Sequence, residues 1–209
     1  GATPLRHPAN PRPRLLRLSE HEAVINRMGF NSEGLDIVRA RLAQRARRGI
    51  VGVNLGKNKE QTDAASDYVA GARAFATVAD FLVINVSSPN TRGLRALQSR
   101  AALEDLVGRV RAALAELKNE TALLLKVAPD LTGDDRRDIA EVALASGLDG
   151  LIVSNTTLAR PAALRSAHRQ EAGGLSGRPL FEPSTALLGE FYRLTGGRIP
   201  LVGVGGIAS

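Results

Sequence analysis

Residues 122–154 read ALLLKVAPDLTGDDRRDIAEVALASGLDGLIVS and contain one complete strand–helix–strand unit. Two short apolar runs, residues 122–127 and 150–154, are of the kind that forms strands covered on both faces of a sheet. The stretch 134–146 between them has the spacing of an amphipathic helix, with Thr132 as its N-cap and an acidic first turn. The unit therefore predicts two parallel strands joined by a helical crossover.

The same alternation continues on both sides of this unit. Three further apolar runs predict strands, at residues 50–54, 81–86 and 199–204. Four further amphipathic stretches predict helices, at residues 33–48, 62–78, 99–118 and 183–194. Alternating strands and helices indicate an α/β fold with a parallel sheet, and both a doubly wound sheet and a (β/α)8 barrel have this pattern.

The residues that end the strands favour the barrel. Successive strands close on polar or glycine residues, namely Asn54, Asn85, Lys126, Ser154 and Gly205. A (β/α)8 barrel builds its active site at those carboxyl ends. No G-x-G-x-x-G follows the first strand, which weakens the doubly wound interpretation.

The length predicts only part of a barrel. A complete (β/α)8 barrel takes about 250 residues, whereas the 209 residues here contain five strand–helix units. We therefore expect residues 1–209 to form a single, incomplete barrel domain. Residues 11–31 include two short predicted strands, 15–18 and 23–26, which indicate a hairpin or lid near the active site. A plain hairpin with no such role is the alternative.

The composition excludes several classes of function. The chain is 44% hydrophobic and 23% charged, which is ordinary for a globular domain. Cysteine is absent, which excludes disulfides, cysteine-ligated metals and a cysteine base. No stretch approaches the roughly 20 apolar residues that span a bilayer. The net charge is +7, but the cations are spread along the chain and aromatic residues make up only 3%, so we expect no nucleic-acid binding.

A lysine inside an apolar strand is the most unusual single feature. Lys126 lies within LLLKV, and lysine is almost never fully buried without a partner. Asp130 and Asp149 are the nearest candidates for a structural ion pair. We favour a functional role, either holding an electron-rich or anionic cofactor atom or forming a Schiff base.

Amides and hydroxyls are concentrated in the loop NVSSPNT at residues 85–91. Carboxamides at strand ends, such as Asn54, Asn85 and Asn155, can bond a planar heterocycle through both a donor and an acceptor. An Asx-type turn is the structural alternative for the loop. The segment NRMGFN at residues 26–31 suggests a lid or substrate wall.

Two glycine clusters, a predicted loop at residues 173–177 and the end of the last strand at residues 203–206, allow backbone N–H groups to approach an anion closely. In a barrel they indicate a phosphorylated cofactor. The three histidines, His7, His21 and His168, are scattered through polar segments, so we expect them at the surface and predict no metal site.

Seven motifs, in order, resemble the dihydroorotate dehydrogenase family: NRMGFN at 26–31, NLGKN at 54–58, NVSSPNTRGL at 85–94, KVAPD at 126–130, SNTT at 154–157, GGLSGRPL at 173–180 and GVGGI at 203–207. They cover nearly the whole chain. The resemblance implies an FMN-dependent (β/α)8 barrel that oxidises dihydroorotate to orotate in pyrimidine biosynthesis.

One residue implies the subgroup. The family's cytosolic class carries a cysteine base in the loop where this chain has Ser88, so the chain resembles the membrane-associated class, which uses a quinone. That class also has an N-terminal region that contacts the membrane, and the resemblance implies a peripheral enzyme on the cytoplasmic face of the inner membrane. By the same resemblance, strands three to seven are present, and that region, strand one, most of strand two and strand eight are missing. We expect this chain alone to be inactive.

The resemblance also implies roles for individual residues. Ser88 would be the base, with Thr91 and Phe30 in its proton relay and closure. The substrate would contact residues of the hairpin end and of two strand-end loops: Asn26, Arg27, Met28, Gly29, Phe30, Asn85, Asn90, Asn155 and Thr156. FMN would contact residues at the carboxyl ends of the strands: Asn54, Asn85, Lys126, Ser154, Gly177 and Gly206. The alternatives are another FMN-dependent pyrimidine oxidoreductase, or an aldolase-type barrel with a Lys126 Schiff base.

Overall fold

The computed structural model describes residues 1–46, 48–91 and 93–208. Positions 47, 92 and 209, which fall in a predicted helix, in one family motif and at the end of the chain, lie outside the described residues. The strands are β1 Leu15–Leu18, β2 Ala23–Asn26, β3 Gly52–Leu55, β4 Phe81–Asn85, β5 Ala122–Val127, β6 Gly150–Val153, β7 Gly174–Gly177 and β8 Leu201–Gly203. The α-helices are α1 Leu35–Ala43, α2 Ala64–Phe75, α3 Arg100–Glu116, α4 Gly133–Ala145 and α5 Phe181–Thr195.

The main sheet has five parallel strands in the order β3-β4-β5-β6-β8. Each strand pairs with the next one in the α/β alternation, as in a (β/α)8 barrel, so the predicted parallel sheet is confirmed. Ala2 forms a parallel bridge with Leu55, and its N–H donates to the Asn54 carbonyl at 2.7 Å. The chain near its start therefore runs beside β3 on the side away from β4.

The two faces of this sheet differ in burial. On β5, Leu123, Leu125 and Val127 are fully buried beneath the helices, whereas Lys126 between them is only partly buried. Successive residues of a strand point to opposite faces. The core of the protein thus lies between the sheet and the helices, and the other face is free to carry polar side chains.

A second sheet holds three antiparallel strands in the order β1-β2-β7. The first two strands have the bounds expected from the sequence, but β7 was expected to be a glycine-rich loop, and that expectation was wrong. The glycines permit a close approach: a Cβ at Gly177 would collide with the Glu22 carbonyl, and one at Gly173 with the Asn26 carbonyl. Glycine is depleted in strands on average, which hid this strand from sequence reasoning.

Several predicted elements are longer than the helices and strands of the structure, among them the first predicted helix and the first predicted strand of the main sheet. The expected helix at 33–48 is present only as Leu35–Ala43, and the expected strand at 50–54 begins at Gly52. No residue of α1 is buried, so packing does not extend that helix. Ile50 is 81% exposed. Within the residues that the structure describes, no helix is both long and apolar enough to cross a membrane.

Candidate active site

Three predicted site residues lie in one row at the carboxyl ends of neighbouring strands. Asn85 is the register partner of Lys126, and Asn54 pairs with Val83, two residues before Asn85 on the same face. Alternation along the strands places Asn54, Asn85 and Lys126 on the face opposite the helices. We call these three residues the inner-face row.

The Lys126 ammonium has no hydrogen bond or ion pair within residues 1–46, 48–91 and 93–208. The two carboxylates considered as its partners are used elsewhere: Asp130 pairs with Arg95 at 2.7 Å and Asp149 with Arg111 at 2.8 Å. Burial lowers the pKa of Lys126 from its usual value, because desolvation disfavours the charged form. The structure thus presents a cation that lacks a counter-charge from the described chain.

Asn54 carries a second group in need of a partner. Its side-chain Oδ1 is buried and accepts no hydrogen bond from the described residues. An orphaned buried acceptor costs about 1–3 kcal/mol, so such groups are rare unless a ligand satisfies them. The inner-face row therefore combines an unsatisfied acceptor with an unpaired ammonium, which fits a planar polar cofactor bound against this face.

Asn85 is held from two sides. Its Oδ1 accepts hydrogen bonds from Ser87 Oγ at 2.7 Å and Ser87 N at 3.1 Å. The buried Tyr68 hydroxyl on α2 donates to the Asn85 carbonyl at 2.7 Å, and burial raises the pKa of Tyr68, which keeps it a donor. Sequence reasoning missed Tyr68, because the contact joins residues 17 positions apart in different elements.

The two serines of the loop after β4 have different environments. Ser87 is fully buried; its hydroxyl donates to Asn85 and accepts from Asn155 Nδ2 at 2.8 Å. Ser88 is partly exposed, and its Oγ accepts a hydrogen bond from Asn90 N at 3.3 Å. In the part of the chain that the structure describes, the Ser88 hydroxyl has no acceptor, so of the two it is the serine free to exchange a proton with a ligand.

Most of the predicted substrate contacts come together around these serines. Asn90 Nδ2 donates to the Asn26 carbonyl at 3.1 Å and to Asn26 Oδ1 at 3.3 Å, which joins the end of β2 to the loop after β4. Asn155 bonds Ser87, and its Oδ1 accepts from Thr156 N at 2.7 Å. We call Asn26, Asn90, Asn155 and Thr156 the amide cluster. Thr91 is buried in the same loop.

Other predicted contacts in the segment after β2 have protein partners of their own. The Arg27 guanidinium donates to the Pro13 carbonyl at 2.8 Å, the Ala172 carbonyl at 3.0 Å and Glu171 at 2.9 Å. The Met28 carbonyl accepts a hydrogen bond from Asn10 N at 3.0 Å, and its side chain lines a cavity with Arg12–Leu15. Within the described residues, the hydrogen bonds of the Arg27 guanidinium and the Met28 carbonyl thus go to groups outside the amide cluster.

Gly29 and Phe30 complete that segment. Gly29 has a φ of +75°, a backbone conformation that favours glycine, beside the Asn10 side chain. The Phe30 ring is 4% exposed and packs against the backbone of Gly56, just beyond the end of β3. A Cβ at Gly56 would overlap the ring. Phe30 is thus next to the inner-face row.

The glycine-rich segments converge at the start of α5. A Cβ at Gly206 would lie 2.6 Å from the Gly177 carbonyl oxygen and 2.7 Å from Phe181 N. Both glycines and Phe181 line a cavity of about 840 Å³. Ser154 is buried, and its N–H donates to the carbonyl of Val204, two residues before Gly206, at 2.9 Å. Glycine backbone at a helix N-terminus is a setting suited to a phosphate.

Comparisons with known proteins show which family has this sequence. The chain matches the family model described as dihydroorotate dehydrogenase over residues 1–209. It is 58% identical to a dihydroorotate dehydrogenase (quinone) of Parvibaculum lavamentivorans over 99% of this chain and 59% of that protein. It is 51% identical to the mitochondrial dihydroorotate dehydrogenase (quinone) of Mus musculus, covering 99% of this chain and 55% of that protein.

A solved structure agrees in fold. The crystal structure of DHODH from Eimeria tenella in complex with ferulenol superposes with a TM-score of 0.95 at 43% identity, covering 100% of this chain and 62% of that one. The chain thus spans less than two thirds of the length of these relatives. The prediction of an α/β fold with part of a (β/α)8 barrel is confirmed.

Proposed function

The chain belongs to the dihydroorotate dehydrogenase family, and from that premise we propose that the full-length gene product oxidises dihydroorotate to orotate with a quinone as final oxidant. Curated relatives that carry the quinone-dependent name include those from bacteria and mouse. The observation that carries the proposal is the pair of unsatisfied polar groups in the inner-face row, the Lys126 ammonium and Asn54 Oδ1. Family membership favours this reaction over the aldolase-type barrel considered above.

FMN is the cofactor that we propose for the inner-face row. Asn54 Oδ1 would gain the donor that it lacks, Asn85 would offer its NH2 group, and Lys126 would gain a counter-charge at the polar edge of the ring. Ser154, Gly177 and Gly206 would complete the contacts, the two glycines next to the phosphate at the start of α5. When bound, a flavin accepts the hydride that leaves C6 of dihydroorotate.

The substrate would lie against the amide cluster. Amides present both donors and acceptors, so Asn26, Asn90 and Asn155 suit the ring N–H and C=O groups of a pyrimidine, with Thr156 and Asn85 adding further contacts. Phe30 would exclude water from one side. Arg27, Met28 and Gly29 would shape the wall behind this site, since Arg27 and Met28 hydrogen-bond other protein groups and Gly29 lies beside the Asn10 side chain.

Ser88 is the base in this proposal. Its Oγ would take the C5 proton of dihydroorotate. Because Oγ already carries the hydroxyl proton, that proton would leave through a relay that includes Thr91. An unassisted hydroxyl is a poor base at neutral pH, so the hydrogen bond from Asn90 N must support the transfer, and the bound substrate must exclude water from the partly exposed Ser88.

The quinone and the membrane belong to the same proposal. We place the full-length protein as a peripheral enzyme on the cytoplasmic face of the inner membrane, in line with its quinone-dependent relatives. Fractionation of cells expressing the full-length product tests this. We expect the activity to be recovered with the membrane fraction and to be released from it by detergent. Activity found entirely in the soluble fraction would contradict the proposed location.

The test of the chemical assignment is Ser88→Ala in the flavin-loaded full-length product. General-base catalysis contributes about 10²–10⁴-fold, so anaerobic flavin reduction by dihydroorotate should slow by that factor while orotate still binds. Ser99→Ala is the matched control, because Ser99 is exposed and makes no side-chain cap hydrogen bond at the start of α3. An unchanged reduction rate in Ser88→Ala would show that another group is the base.

A further inference from the structure

Three loops that follow neighbouring strands meet at one guanidinium. Arg95 lies in the short 3-10 turn Leu94–Gln98, after the serine loop. Its Nε donates to the Ser87 carbonyl at 3.1 Å, after β4, and its Nη2 donates to the Thr156 carbonyl at 3.1 Å, after β6. Its Nη1 donates to Asp130 at 2.7 Å, after β5. Each of the three nitrogens thus serves a different loop.

Asp130 extends this connection. Besides Arg95, it accepts hydrogen bonds from the Thr157 hydroxyl and from Leu158 N, the latter at 3.0 Å. Burial acts to raise the pKa of Asp130, but the hydrogen bonds from Thr157, Leu158 and Arg95 together outweigh it and hold the pKa below its usual value. The carboxylate therefore remains charged at neutral pH. It holds the loop after β6 through Thr157 and Leu158, in addition to the hydrogen bond from Arg95 to the Thr156 carbonyl.

The backbone groups that Arg95 holds adjoin the proposed chemical groups. The Ser87 carbonyl belongs to the peptide unit that leads into Ser88, the proposed base. The Thr156 carbonyl closes the segment that carries Asn155 and Thr156, two members of the amide cluster. The other direct side-chain hydrogen bond between these two loops in the described chain is from Asn155 to Ser87.

We infer that Arg95 is a positioning residue for the reaction proposed above: with Asp130, it sets the distance between the base loop and the loop that holds the substrate. This inference rests on the proposed function. A displacement of about 1 Å between reacting groups can cost about 10²-fold in rate. Arg95 touches no reacting atom in this scheme, so its effect is on the geometry of the two loops.

The geometry explains why arginine occupies this position. A guanidinium is planar, always charged and directs its donors along fixed, divergent axes, whereas a lysine ammonium is a compact point charge on a flexible stem. Lysine at position 95 would keep the ion pair with Asp130 but could not also reach both carbonyls. The two functions of Arg95, charge and spacing, are therefore separable by mutation.

The experiment compares Arg95→Gln and Arg95→Lys in the full-length product with Arg100→Gln. Arg100, at the start of α3, is a matched control: it pairs with Glu104 of α3 and with Asp138 and Glu141 of α4, and within the described residues it has no hydrogen bond or ion pair with the three loops. The measurements are kcat and KM for dihydroorotate, flavin content, thermal unfolding, and hydrogen exchange of the backbone amides at 87–91 and 155–158.

For Arg95→Gln we expect kcat to fall about 10- to 100-fold, with flavin content and unfolding temperature close to those of Arg100→Gln. Arg95→Lys should recover little of the lost kcat. Hydrogen exchange should rise in both loops in the two Arg95 variants but not in Arg100→Gln. A kcat within twofold of wild type in Arg95→Gln, full rescue by lysine, or a loss shared with Arg100→Gln would overturn the inference.

The same experiment separates this inference from the proposed function. If the wild-type protein does not oxidise dihydroorotate, the proposed function fails, and the exchange data still test whether Arg95 holds the loops. If the wild type is active and exchange in the two loops is unchanged in Arg95→Gln, the inference alone fails.

Discussion

Replacing Lys126 by methionine separates binding of a cofactor from stability of the fold. The ammonium has no partner within the described residues, and burial lowers its pKa, so in the flavin-free protein the charge is a cost. Methionine keeps a straight, flexible side chain of similar length without the charge. Lys126→Met should therefore leave the flavin-free protein at least as stable as the wild type.

The loss should instead appear in flavin affinity. A hydrogen bond to a charged group contributes about 1.5–3 kcal/mol, and about 1.4 kcal/mol corresponds to a factor of ten in the dissociation constant. Removing this one contact should therefore weaken FMN binding by about 10- to 150-fold. The assay is fluorescence titration of the flavin-free full-length product with FMN, paired with urea unfolding of the same sample.

The pH dependence gives a second readout with a definite sign. Because the folded-state pKa of Lys126 lies below its unfolded value, the unfolded chain binds more protons between the two values. The stability of the flavin-free protein should therefore rise with pH as it approaches the unfolded pKa of about 10.4, and Lys126→Met should remove that contribution.

Lys59→Met is the matched control, since Lys59 is exposed in the loop after β3. It should change neither flavin affinity nor the pH profile. The reasoning would be refuted if Lys126→Met bound FMN as tightly as the wild type. A large loss of stability in the flavin-free Lys126→Met protein would refute it equally, because it would reveal a structural partner for the ammonium.

Two further substitutions test the supports of the site. Tyr68→Phe removes the donor to the buried Asn85 carbonyl and should lower the free energy of unfolding by about 1–3 kcal/mol in a urea titration. Gly206→Ala places a Cβ 2.6 Å from the Gly177 carbonyl oxygen at a φ of +70°, so it should separate the segments at the start of α5 and weaken FMN binding in the fluorescence titration.

Each of these two substitutions has a result that would contradict the prediction, and Gly206→Ala also has a control variant. An unfolding free energy unchanged in Tyr68→Phe would mean that water or another donor replaces the phenol. For Gly206→Ala the comparison is Gly108→Ala in α3, where nothing lies within 4 Å of the added Cβ and helix propensity should stabilise the protein by about 0.5–1 kcal/mol. Equal FMN affinity in the two alanine variants would contradict the role given to Gly206.

The sequence predicted the parts of the fold that depend on local pattern. The run at 122–127 matches β5 residue for residue, and Thr132 is the expected N-cap of α4, which the structure shows to be a capping box with Asp135. The same periodicity placed Lys126 in a strand that is otherwise apolar, and the structure shows that neither nearby aspartate pairs with it. These features are encoded within a few residues of one another, which is why they could be found.

The features that were missed depend on contacts between distant segments. β7 is a strand because its glycines let it approach β2 closely, a reason that strand propensity does not contain. Arg95 contacts residues 8, 35 and 61 positions away, so no spacing in the sequence marks it. The partners of the Arg27 guanidinium, Pro13, Glu171 and Ala172, lie 14 to 145 positions away, so only the tertiary structure reveals them.

The most direct test of the central claim uses the flavin-loaded full-length product under anaerobic conditions. Dihydroorotate is added while the flavin absorbance is followed, and then a quinone or fumarate is added to separate samples. Bleaching by dihydroorotate and recovery with the quinone alone is the predicted result. A flavin that stays oxidised in the presence of dihydroorotate would contradict the function that we assign to the inner-face row, Ser88 and the amide cluster.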